Sequence, residues 1–106
     1  MEITSEMKGA TVLFRVIGKI TGQYSVQLTR ILTRLKTGKF ENIVLDLSNV
    51  DFIDSPGLGA LVYTQLLLNK VNKKIILSSL HEDIKYLFED FALNKHFQIV
   101  SSYELN

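Results

Sequence analysis

Apolar and polar positions alternate, then change period, several times along this chain. Residues 2–17, EITSEMKGATVLFRVI, predict two short strands around a Lys8-Gly9 turn, the second richer in β-branched and aromatic residues. Gly18 breaks the run. Beyond it Tyr24, Leu28, Ile31, Leu32 and Leu35 recur at helical spacing, with Gln27, Arg30, Thr33 and Arg34 largely off that stripe. Thr21 reads as the N-cap of this helix and Gly38 as the residue just past its end.

NIVLDLSNV, residues 42–50, is a nearly continuous apolar run, the pattern of a strand covered on both faces. A second helix is predicted from Pro56 to Lys70, and KKIILSSL, residues 73–80, reads as another buried strand. Ser79 and Glu82 have the spacing of a capping box. Ile84, Leu87, Phe88 and Phe91 then give a third amphipathic helix, and HFQIVSSYEL closes with a short strand. The order ββ-α-β-α-β-α-β predicts an α/β fold with a partly parallel sheet, entered through a hairpin.

The second helix is apolar over much of its surface. At ~100° per residue, Leu58, Leu61 and Val62 group toward the sheet, while Ala60, Tyr63, Thr64 and Leu67 lie on the opposite side, next to Ser55. An apolar strip turned away from the core marks a docking surface. Gln65 and Asn69 fall on the core side, so the division is not clean, and Tyr63 and Leu67 could equally pack beneath another element.

Composition narrows the classes. A chain of 106 residues is the size of one domain, and without cysteine it has no disulfide, thiolate chemistry or cysteine-based metal site. The N-terminus MEITSEMKGA has no basic n-region, and no apolar run approaches the ~20 residues of a spanning helix, so a cytoplasmic protein with no membrane segment is expected. Net charge is +1; the basic residues Arg30, Arg34, Lys36, Lys70, Lys73 and Lys74 read as solvated helix faces rather than a nucleic-acid surface. His81 and His96 lack the spacing of metal ligands. Asp46, alone in a buried strand, suits a hydrogen-bonded structural role. G-x-S-x-G and both glycine-rich nucleotide loops are absent, which leaves a small hydrolase a distant third reading.

Chemistry concentrates in NVDFIDSPGLGALV, residues 49–62. Ser55 precedes the chain's one proline, which steers it toward extended backbone and toward a role as N-cap, with Pro56 at the first helical position. Gly57 and Gly59 remove bulk from the first turn, so the amides of Gly57 and Leu58 can be approached from outside. Two readings follow. Ser55 is a cap and nothing more, or it is a phosphate acceptor at the positive end of a helix dipole. A phosphate there would add about −1.5 to −2 charges beside Asp51 and Asp54.

IVLDLSNVDFIDSPGLGALV, residues 43–62, resembles the signature of the bacterial anti-sigma factor antagonists, members of the STAS domain family, whose pattern is an apolar strand, a D-S-S/T-G-L-G turn and a helix. The likeness extends to the Gly18 junction, to KKIILSSL and to LFEDFALNKHFQIV. It implies a single STAS-like domain over residues 1–106, with a mixed sheet and three to four helices packed mainly on one face. It implies a non-enzymatic partner switch, monomeric when free. The unphosphorylated domain binds an anti-sigma factor that is also a GHKL-type serine kinase, and so releases a sigma factor. Phosphorylation of Ser55 ends that complex, and a phosphatase resets it. The domain itself would need no cofactor, because ATP and Mg would be bound by the kinase.

On this resemblance Asp51, Asp54, Pro56, Gly57, Leu58 and Gly59 form the surroundings of the phosphosite. Gly18, Lys19, Thr21 and Gly22, with Ala60, Tyr63, Thr64 and Leu67, form the docking surface. The sequence departs from the family at Pro56, where a second hydroxyl is frequent, and at Lys19 and Thr21, where acidic residues are frequent. The departures bear on which partner binds. An alternative is a STAS subunit of a transporter or a stress-signalling scaffold, binding constitutively with Ser55 unmodified.

Overall fold

The computed structural model describes residues 1–105. The predicted hairpin forms: β1 (Glu2–Lys8) runs antiparallel to β2 (Thr11–Ile17), with Lys8 opposite Thr11 and Gly9 at φ 59° in the turn between them. β2 then pairs in parallel with β3 (Asn42–Asn49), β3 with β4 (Lys74–Ser78), and β4 with the three-residue β5 (Gln98–Val100). Spatial order across the sheet is the order of the chain. Three helices supply the crossovers: α1 (Gly22–Thr33), α2 (Ser55–Asn69) and α3 (Glu82–Asp90).

Alternation along the strands sorts the core. Val12, Phe14 and Val16 of β2, with Ile43, Leu45 and Leu47 of β3 and Ile75 and Leu77 of β4, point to the helices. They meet Leu28 and Leu32 of α1, Leu58, Leu61 and Leu68 of α2, and Ile84 and Phe88 of α3. The rings of Phe88 and Phe97 meet edge to face at 5.5 Å, a favoured aromatic geometry. Leu13, Val44 and Ile76 point the other way, under Val100, Tyr103 and Leu105. β3 is therefore covered on both faces, as its apolar run predicts; helices form one cover and the irregular C-terminal segment the other. On that second face Arg15 lies 3.1 Å from Glu6 and 3.5 Å from Asp46, whose other oxygen accepts the Ser48 amide at 2.9 Å.

Helix ends depart from expectation in three places away from the start of α2. After α1 the chain tightens into a 3-10 turn (Arg34–Thr37), and Gly38 is extended at φ −84° rather than left-handed. The buried Lys73 ammonium reaches this end from outside: it donates to the Leu35 carbonyl, which also accepts the Gly38 amide at 3.3 Å, and at 2.7 Å to the Gly38 carbonyl, which has no other partner among the described residues. The Ser79–Glu82 capping box does not form. The Ser79 amide is drawn to the Val100 carbonyl at 3.3 Å, its backbone turns to φ 60°, and His81 becomes the N-cap of α3 without a side-chain capping bond, its ring pairing with the Ser48 carbonyl at 2.7 Å instead. Phe91 closes α3 instead of continuing its buried stripe, and is 62% exposed.

Candidate functional site

The pairing of β2 with β3 carries on past the strand ends. The Gly18 amide donates to Asn49 O at 3.0 Å, Ile20 to Phe52 O at 3.0 Å, and Asp54 to Ile20 O at 3.1 Å. Ile20 and Ile53 anchor the two segments from below, both buried. Residues 18–22 and 50–54 thus lie side by side at the C-terminal ends of parallel strands, where open α/β sheets place their sites.

Asp54, not Ser55, caps α2. Its Oδ1 accepts the Gly57 amide at 2.7 Å, and its Oδ2 accepts the Gly22 amide at 3.0 Å. Ser55 becomes the first helical residue and Pro56 the second. Asp and Ser are comparable caps, so local sequence leaves the choice between adjacent positions open. The carboxylate wins because it has two acceptor oxygens and serves the first amide of α1 as well. Thr21 is at the N-cap of α1 as expected, yet its side chain makes no capping bond.

Released from capping, Ser55 is exposed, and among the described residues its hydroxyl makes no hydrogen bond. Asp51, four residues earlier in the chain, is also exposed. Glycine is required at one position nearby and closely fitted at another. A Cβ on Gly57 would overlap the Ile20 carbonyl oxygen, and one on Gly22 would lie 3.0 Å from Pro56 Cβ. Gly59, by contrast, faces open space. Lys19 and Phe52 project from the paired loops, with the ammonium 5.3 Å from the ring centroid, a cation–π contact.

Beyond Ser55 the predicted faces of α2 shift. Leu58 and Leu61 are buried as expected, but so is Thr64, assigned above to the docking face. Its hydroxyl returns to the Ala60 carbonyl at 2.8 Å, so it presents nothing to a partner. Ala60 and Leu67 are half-buried. Gln65 is buried and paired on both sides, accepting the Ile75 amide at 3.0 Å and donating to Asn69 at 2.9 Å. The outward strip is instead Ser55, Gly59, Tyr63 and Leu66. With Leu58, Val62, Phe91 and Leu93 it lines a shallow groove of about 480 Å³. Val62, expected against the sheet, is half-buried in its wall. Leu66, Phe91 and Phe52 were not among the sequence-derived candidates. Phe52 carries no periodic signal, and Phe91, which does, falls at the C-cap of α3, where only the packing turns it outward.

The profile of the STAS domain matches residues 2–105. The chain belongs to the STAS domain family. Among curated relatives, the anti-sigma-B factor antagonist of Staphylococcus aureus is 32% identical over 75 residues, covering 67% of this chain and 69% of its own. Among solved structures, the anti-sigma factor antagonist SpoIIAA of Bacillus shares the fold in two forms. The unphosphorylated form superposes with TM-score 0.76 at 18% identity, covering 96% of this chain and 90% of SpoIIAA. The phosphorylated form gives 0.73 at 20%, covering 94% and 92%. A segment of the mouse anion transporter Slc26a9 also matches this STAS fold, with TM-score 0.73 at 20% identity, over 92% of this chain and 17% of the transporter. No helix among the described residues is long and apolar enough to cross a membrane.

Proposed function

We propose that this STAS domain is an anti-sigma factor antagonist, switched by phosphorylation of Ser55. The single observation that carries the reading is the division of labour at the head of α2. Asp54 does the capping, which leaves the Ser55 hydroxyl exposed and uncommitted beside an apolar groove. In the unphosphorylated state the groove, the 18–22 loop and the Lys19–Phe52 pair form one surface for an anti-sigma factor that is also a GHKL-type serine kinase. That kinase holds ATP and Mg. The γ-phosphoryl passes to Ser55 Oγ, the hydroxyl proton goes to a base of the kinase, and ADP leaves.

A dianion at an interface built around a neutral hydroxyl must be desolvated, and Asp51 and Asp54 add like charge nearby. The complex then separates, and a phosphatase restores the hydroxyl. The domain acts by binding and catalyses nothing itself. The likeness to an anti-sigma-B factor antagonist and to SpoIIAA in two phosphorylation states supports this reading.

The test is incubation with the kinase-type anti-sigma factor of the same organism and ATP, followed by peptide mass mapping. One phosphate on Ser55, with dissociation of the complex, is the expected result. A stable complex that ATP neither modifies nor dissolves would favour the second reading, a constitutive STAS subunit of the kind matched within the anion transporter.

A further inference from the structure

The double use of Asp54 goes beyond ordinary capping. One oxygen makes the local bond of an N-cap, three residues ahead to Gly57; the other reaches 32 residues back along the chain to Gly22. α1 has no side-chain cap of its own, since Thr21 supplies none. The positive ends of two helix dipoles therefore converge on one carboxylate. Gly22 and Pro56 sit so close that a methyl group on the former would press on the latter. Backbone bonds tie the loops as far as Ile20 and Asp54; the Oδ2 bond adds the next rung, at the point where the two helices begin.

We infer that Asp54 is a positioning residue that couples the 18–22 loop to the Ser55 turn, holding both parts of the docking surface in one fixed arrangement before a partner arrives. The docking role rests on the function proposed above; the coupling rests on geometry alone. Pre-organisation of this kind raises affinity by removing the ordering cost of binding.

Chemistry offers a bond-selective probe. An asparagine side chain keeps one acceptor oxygen and replaces the other with an NH₂ donor. Asp54→Asn should keep the short-range bond to Gly57 and set donor against donor at Gly22. Amide hydrogen exchange of the full chain, read by NMR, is expected to quicken about tenfold at Gly22, the scale of one lost charge-assisted bond, and to change far less at Gly57. Should Asp54→Asn fold poorly, Asp54→Ser, also a cap with a single oxygen, is expected to give the same split. Equal changes at the two amides, or none at Gly22, would overturn the coupling.

A second arm separates positioning from stability. Thr21→Asn gives α1 a better neutral cap through its second or third amide without rebuilding the link to Asp54. The Thr21→Asn/Asp54→Asn double variant is expected to regain the wild-type Tm while its Kd for the anti-sigma factor stays about tenfold weaker than that of Thr21→Asn alone, the effect of one lost bond. Recovery of Kd together with Tm would reduce Asp54 to a stabiliser and sink the inference. If the wild-type chain itself binds no anti-sigma factor, the proposed function fails, and the exchange ratio still decides the coupling.

Discussion

Gly57 and the Ile20 carbonyl meet where no side chain fits. The contact lets the head of α2 seat against the loop that follows β2, and it makes two glycines of one turn behave oppositely. Gly57→Ala must displace backbone and is expected to cost about 1–3 kcal/mol. Gly59→Ala fills open space on a helix and is expected to add about 0.5–1 kcal/mol through propensity. Urea midpoints of the two variants, measured together, check the pair.

Lys73 is a buried cation held by two carbonyls at the end of the turn after α1. Lys73→Met retains the stem and removes the donors, leaving those acceptors poorly satisfied. A loss of about 2 kcal/mol is expected, or roughly 10 °C in Tm for a domain of this size. A thermal melt within 2 or 3 °C of wild type (about 0.5 kcal/mol on the same scale) would contradict the capping role.

Reassigning the cap from Ser55 to Asp54 inverts a simple expectation. Ser55→Ala should leave stability within about 0.5 kcal/mol of wild type, as for an ordinary surface change. Asp54→Ala should lose about 1–2 kcal/mol. Thermal melts followed by circular dichroism rank the two, and a Ser55→Ala melt as low as that of Asp54→Ala would return the cap to the serine. Ser55→Ala is consequently a clean test of phosphorylation, because it removes the acceptor and spares the helix.

Phe91 is expected to matter for binding and not for folding. It is 62% exposed at the wall of the groove, so Phe91→Ser should alter stability little. Exposed aromatics of this kind supply much of the energy of an interface. A fall in affinity for the anti-sigma factor of about tenfold or more, by titration calorimetry, is the expected outcome.

The fold was legible because its signals are local. The switch from two-residue to helical period places every major element, and Gly18 and Gly9 mark real breaks with positive φ. The errors arise where a distant group decides. Asp54 displaced Ser55 because of an amide 32 residues away, and Ser79 abandoned its capping box for the carbonyl of Val100. Thr64 was misplaced for another reason. α2 is apolar nearly all round, so periodicity dictates no outward face, and contacts with α1 and β4 choose it. Phe91 continued a helical stripe that the helix itself did not continue.

Strand order in the sheet has a consequence for how the molecule is made. Because each strand lies next to its predecessor, a chain emerging from the ribosome never has to wedge a new strand between two already joined. Each crossover adds one layer to the growing edge, and domains that gather their contacts progressively spend less time as sticky intermediates. The segment after β5, with Tyr103 and Leu105, closes the oily reverse side over Leu13, Val44 and Ile76. Until that segment is in place this side stays bare, so the interval after β5 has formed is when the growing fold is most open to aggregation.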